Sequence, residues 1–153
     1  MPRRAEPPRP EFERGEKLLR EIAAEPATYW RDHGAMGLVG MAAVGGVLWA
    51  MGNEHVAIGA LGAIGAVAVR GAYLASEALG HRWWLTDKRL ILPDGRRSVM
   101  LLEVQTVRRL LGDVQLVTKT GDKHLIKHVG NAAAIVGAIT EARDRRARRG
   151  ARA

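Results

Sequence analysis

Residues 34–69 read GAMGLVGMAAVGGVLWAMG, then NEH, then VAIGALGAIGAVAV. The first run, Gly34 to Gly52, holds 19 residues without a charge, and at a rise of about 1.5 Å each it matches the hydrocarbon thickness of a bilayer. Asn53, Glu54 and His55 interrupt it, and the second run begins at Val56. That run meets Arg70, but the apolar character resumes at Gly71, and an arginine near a helix end can carry its guanidinium to the headgroups along an apolar stem. The expectation is a transmembrane hairpin over residues 34–80, with spans at 34–52 and 56–78. The alternative is a helical hairpin buried in a soluble protein, against which the length of the uncharged run argues.

The aromatic residues fall near the limits of these spans. Tyr29 and Trp30 precede the first, Trp49 lies at its far end, and Tyr73, Trp83 and Trp84 surround the exit of the second. Such rings favour the membrane interface, so these six, with Arg70, are expected as interface anchors. Seven Lys or Arg precede Gly34, none lies in the Asn53 to His55 turn, and sixteen follow Gly80. The positive-inside rule then predicts an inner-membrane protein with both termini cytoplasmic and the turn outside. The segment before Gly34 lacks the apolar stretch of a cleavable signal, so the hairpin reads as an internal anchor.

The 153-residue chain leaves about 70 residues after the hairpin, enough for one modest core. It has no cysteine, which excludes disulfides, thiol catalysis and cysteine-rich zinc sites. The formal net charge of +8 is concentrated after the hairpin, where sixteen basic residues face seven acidic ones. A membrane-tethered unit of that sign is suited to anionic lipid. Nucleic acid, the other common partner of basic chains, fits a tethered unit less well.

Residues 1–14, rich in proline and charge, read as a disordered leader. Leu18, Leu19 and Ile22 stand at helical spacing among charges, and Pro26 ends that segment. Beyond the hairpin, residues 83–92 precede a Pro93-Asp94-Gly95 turn, and Ser98 to Leu102 resumes as a strand. Val114, Leu116 and Thr118 alternate with polar neighbours, and His124 to Val129 alternates again after a Gly121 turn. The pattern predicts an antiparallel meander. A final helix follows, capped by Asn131, with Ile135, Ala138, Ile139 and Ala142 in one stripe and arginines from Arg143 toward its C-terminus.

The stretch WWLTDKRLILPDGRRSVMLLEVQTVRRLLGDVQLVTKTGDKHLI resembles the bacterial pleckstrin-homology (PH) domain membrane proteins. The positions that carry the resemblance are Trp83, Leu85, Thr86, Asp87, Arg89, Leu90, Ile91, Gly95, Leu101, Val104, Leu110, Leu111, Gly112, Val114, Leu116 and Thr118, together with Gly15, Glu16, Leu18 and Leu19 before the hairpin. It covers about residues 15–142. Where family members often carry a Pro-Asp-Pro step before the final helix, this chain has Val129, Gly130 and Asn131, which keeps the capping role. The resemblance implies an α+β membrane protein, with a two-helix anchor and a small cytoplasmic PH-like antiparallel sheet over 81–149 capped by the C-terminal helix, ahead of a tail at 150–153. It also implies that segment 15–33, an amphipathic segment by its local helical spacing, supplies a first strand over Glu16 to Ala23.

Few residues invite catalysis. Ser98 lacks a nucleophile-elbow context and is expected to be an ordinary strand serine. His124 and His128, four apart on an expected strand, would stand about 13 Å apart and so not share a metal. No catalytic residue, metal or cofactor is therefore expected. Small-residue pairs Ala42 with Gly46, Gly59 with Ala63, and Gly62 with Ala66 can bring helices close, either within the hairpin or against another membrane protein. Arg70 and Glu77 share a helix face and are candidates for an ion pair. Arg96, Arg97, Arg108, Arg109, Lys119, Lys123 and Lys127 either contact lipid or partner or form a solvated face. The functional expectation is a non-enzymatic adaptor or assembly factor for an integral membrane complex, respiratory or photosynthetic by family resemblance, or a homo-oligomer. The alternatives are a module whose main activity is binding anionic lipid headgroups, and a membrane enzyme.

Overall fold

The computed structural model describes residues 10–152; the first nine residues of the expected leader lie outside the described residues. The chain divides into two units, one from Glu25 to Leu79 and the other built from the chain up to Ala24 together with Gly80 onward.

The first unit is a helical hairpin, α1 (Pro26–Ala50) and α2 (Val56–Ala78). Pro26 does not close the preceding segment so much as open α1, where its fixed φ and missing N–H cost nothing. The helix therefore starts eight residues before the uncharged run. Gly52, at φ +66°, lets the chain leave α1, and the Asn53 side chain accepts the His55 amide at 2.8 Å to enter α2. Both helices are long and apolar enough to cross a membrane, and only 6% of the most apolar window of each is buried.

Among the described residues, the second unit holds seven strands in two antiparallel sheets. β1 (Leu18–Ala23), β2 (Arg82–Thr86), β3 (Arg89–Ile91) and β4 (Ser98–Met100) form one, in sequence order. β5 (Val104–Leu110), β6 (Asp113–Thr118) and β7 (Lys123–Ile126) form the other. A single 3-10 turn, Leu101–Glu103, joins them and buries Leu101 completely. The expected single meander is thus two sheets, and the expected strand Ser98 to Leu102 stops at Met100 to make that change of sheet. β5 had no alternation to announce it, because Val104 is its one buried residue and Val107 is half-buried.

Leu18, Leu19 and Ile22 form a strand despite their helical spacing. Ile22 enters the core opposite Trp83, while Leu18 and Leu19 remain exposed. Pairing with β2 supplies backbone hydrogen bonds that outweigh the weak local preference. In β6 the expected alternation holds, with Val114, Leu116 and Thr118 buried and Gln115 and Val117 only partly so. α3 (Ala132–Gly150) begins where Asn131 accepts the Ala134 amide at 2.9 Å and buries Ile135, Ile139 and Ala142 against the sheets.

Candidate functional site

At the open end of the hairpin, one turn into α1, the Tyr29 hydroxyl donates to the Gly71 carbonyl of α2 at 2.7 Å. The His33 ring lies 4.1 Å from the Tyr29 ring, and the Trp30 ring meets Tyr29 edge-on at 5.3 Å. A Cβ on Gly71 would stand 2.8 Å from the His33 ring, so glycine there is what admits the aromatic group. Tyr29, expected at a membrane interface, is buried: its hydroxyl satisfies a carbonyl across the helix pair. Trp30, Trp49 and Tyr73 are exposed, and so is Arg70. Among the described residues Arg70 makes no ion pair with Glu77.

Trp83 and Trp84 also depart from the expectation. Both belong to β2 and both are buried, Trp83 within the core of the sheet unit beside Leu85 and Leu90. Nearness in sequence to the end of α2 suggested an interface role, but strand alternation directs Trp83 and Leu85 to the same inner face.

The small residues divide into two groups. Gly59 and Ala63 lie inside the hairpin: a Cβ on Gly59 would collide with Leu48, and Ala63 faces Gly40. Gly37 and Gly45, facing Ile64 and Ala60, complete that contact and were not among the expected pairs. Ala42, Gly46, Gly62 and Ala66 are exposed, and Cβ atoms placed on Gly46 and Gly62 would meet open space. Those pairs play no part in holding α1 to α2.

The seven basic positions do not converge. Arg96 and Arg97 sit in the β3–β4 turn, where Asp94 accepts both amides and the Arg97 guanidinium. The guanidinium of Arg97, with these hydrogen bonds, holds the Asp94 carboxyl at about 2. Arg108 and Arg109 are neighbours in β5 and so point to opposite faces; Arg108 bonds Gln115 at 2.9 Å. Lys123 shares the Arg108 face through the β6 register, whereas Lys119 and Lys127 lie at opposite ends of the sheet. Arg145, Arg148, Arg149 and Arg152 line a shallow depression at the end of α3, the last of the chain's arginine-rich segments.

The most tightly built polar cluster involves motif residues whose roles the sequence did not disclose. The Glu16 side chain is fully buried and receives Arg89 Nε and Nη2, each at 3.0 Å, and the Thr86 hydroxyl at 2.7 Å. Burial pushes its carboxyl upward, but the Arg89 hydrogen bonds, the Glu13 and Thr86 bonds and the Arg89 charge prevail and lower it from 4.5 to about 2. Beside it the Lys17 amide donates to Asp87 Oδ1 at 2.9 Å and Lys88 pairs with Glu13. The cluster pins the start of β1 to the β2–β3 turn across the inserted hairpin. Motif positions Glu16, Thr86, Asp87 and Arg89, far apart in sequence, meet here for structural reasons.

Ser98 opens β4, and among the described residues its hydroxyl bonds no histidine or carboxylate. His124 lies in β7, but His128 falls past its end at φ +56°, with its amide donated to Asp113 at 2.8 Å. The two histidines therefore do not share the expected strand. Comparison with family models, curated proteins and solved structures finds no match.

Proposed function

We propose that this chain is a non-enzymatic protein of the bacterial inner membrane, in which the hairpin crosses the bilayer with Asn53 to His55 outside and both termini in the cytoplasm. The observation that carries the membrane placement is the exposure of α1 and α2: Val39, Ile58, Leu61, Val69 and Trp49 all point outward. A core helix of a soluble protein would bury such residues; lipid is the solvent that makes their exposure favourable. The absence of Lys and Arg from the turn supports the orientation.

The sheet unit acts as a PH-like module. Support comes from its four-plus-three strand division closed by a C-terminal helix and from the sequence resemblance. Its task is that of an adaptor or assembly factor for an integral membrane complex. The exposed pairs Ala42 with Gly46 and Gly62 with Ala66 favour this, since close helix approach is what small residues permit and the hairpin itself leaves them unused. The basic excess of the sheet unit adds contact with anionic lipid.

Tagged full-length protein extracted in mild detergent should bring down a defined membrane complex. Recovery as a lone species across several growth conditions would overturn the adaptor role.

A further inference from the structure

β5 and β6 are joined by a two-residue turn, Leu111–Gly112, since Leu110 pairs directly with Asp113. Both turn residues have positive φ, 51° for Leu111 and 96° for Gly112. This is the geometry that favours Asn-Gly or Asp-Gly, because a branched apolar side chain suffers in the left-handed region. Leu111 occupies it nonetheless, and its side chain is fully exposed at 101%. The chain thus accepts two unfavourable terms at one position, backbone strain and an isobutyl group in water, with no internal contact in return.

The surroundings of that leucine point to its partner. Leu110, partly exposed, adjoins it, and Arg108 and Arg109 stand immediately behind on opposite faces of the hairpin. Gln115 holds the Arg108 guanidinium at 2.9 Å, and Arg109 is exposed. The carboxylate at the base of the tip, Asp113, is engaged by the His128 amide at 2.8 Å. The result is an apolar point with a basic collar on a unit already rich in positive charge. An anionic bilayer surface matches both features: acyl chains receive the leucines, and headgroup phosphates meet the arginines.

We propose that the β5–β6 tip, Leu110 and Leu111 backed by Arg108 and Arg109, inserts into the anionic face of the bilayer as a second membrane contact of the chain. This rests on the membrane placement of the hairpin argued above. It makes the sheet unit a membrane-docked module rather than one hanging free on its anchor.

The chain contains no cysteine, so single labelling sites are free of background. Spin labels at Val39→Cys, Leu111→Cys and Lys123→Cys, each in the full chain, are read in nanodiscs of phosphatidylcholine with phosphatidylglycerol. Lys123 opposes Val117, about 13 Å along β6 from the base of the tip, and serves as the far-end reference. The expected result is that labels at Val39 and Leu111 are shielded from a water-soluble nickel chelate while that at Lys123 is not. Phosphatidylcholine alone, or high salt, should weaken the shielding at Leu111 but not at Val39. Leu111→Asn, followed through a label at Leu110→Cys, should reduce the inserted-to-free ratio about tenfold or more while raising thermal stability. A purely structural leucine would not give those opposite signs.

Shielding at Val39 with Leu111 as open as Lys123 overturns tip insertion and leaves the anchor standing. An open Val39 removes the membrane placement itself, and the inference with it. Shielding at Leu111 that appears only with a co-purified protein also overturns it, in favour of a protein partner.

Discussion

In the sheet unit Leu90, Leu101, Leu116 and Ile139 are wholly buried and, the Glu16–Arg89 pair apart, the charges lie outside. In the hairpin the order is reversed: glycines on each helix receive Leu48, Ile64 and alanines of the other, while Val39, Ile58, Leu61 and Val69 point away. On the membrane placement proposed above, each unit suits a different solvent. Where water surrounds a fold, hydrophobic burial drives packing; where lipid does, close approach of small residues must serve instead.

The largest expected effect breaks the first half of this contrast. Leu116→Ala should destabilise the sheet unit by about 3 kcal/mol, the usual cost of a buried leucine and its cavity. Leu61→Ala, on the outward face of α2, should cost less than about 1 kcal/mol. Denaturant titration of the full chain in detergent, followed by near-ultraviolet dichroism of the core tryptophan, checks both. Equal costs would mean that the hairpin is packed as a soluble core is.

The next effect concerns the bond between β1 and the sheet. Glu16 is ionised well below its ordinary range in the folded protein, so its contribution to stability is present above pH 4.5 and is lost as pH falls toward about 2. The pair is sealed at Glu16, but Glu13 and Lys88 around it meet water, so screening trims the contribution to about 2 kcal/mol. Glu16→Gln should remove that amount at neutral pH and flatten the acid limb of the stability profile. An unchanged acid limb would assign the acid sensitivity to other carboxylates, Asp94 among them.

What was legible in the sequence follows the same division. The two helices could be read because both are long and apolar enough to cross a membrane, a signal that needs no partner to interpret. α3 and β6 were legible because each buries one regular stripe. β1 was legible only through the family resemblance and not from its own pattern, since its single buried residue, Ile22, and its polar staple depend on β2 and on Arg89, beyond a hairpin's length of intervening chain. Tyr29, Trp83 and Trp84 lie near the ends of the spans in sequence yet are buried, because burial is decided by what packs on a ring and not by its distance along the chain from a helix end. Gly71 could have been found only by knowing that Tyr29 and His33 face it.

The smallest effects sharpen the contrast inside the hairpin. Gly59→Val must force Leu48 aside and should cost about 1–3 kcal/mol, whereas Gly62→Val enters open space and should leave stability within about 0.5 kcal/mol. The second variant is the more informative, because a substitution that the isolated hairpin does not feel can be felt only by something packed against it. If Gly62→Val, together with Ala66→Val, leaves folding intact but abolishes recovery of a membrane complex, the outward small face is where the partner helix lies. If recovery is unaffected, those small residues merely keep the outward surface smooth, and the partner must be held by the sheet unit instead.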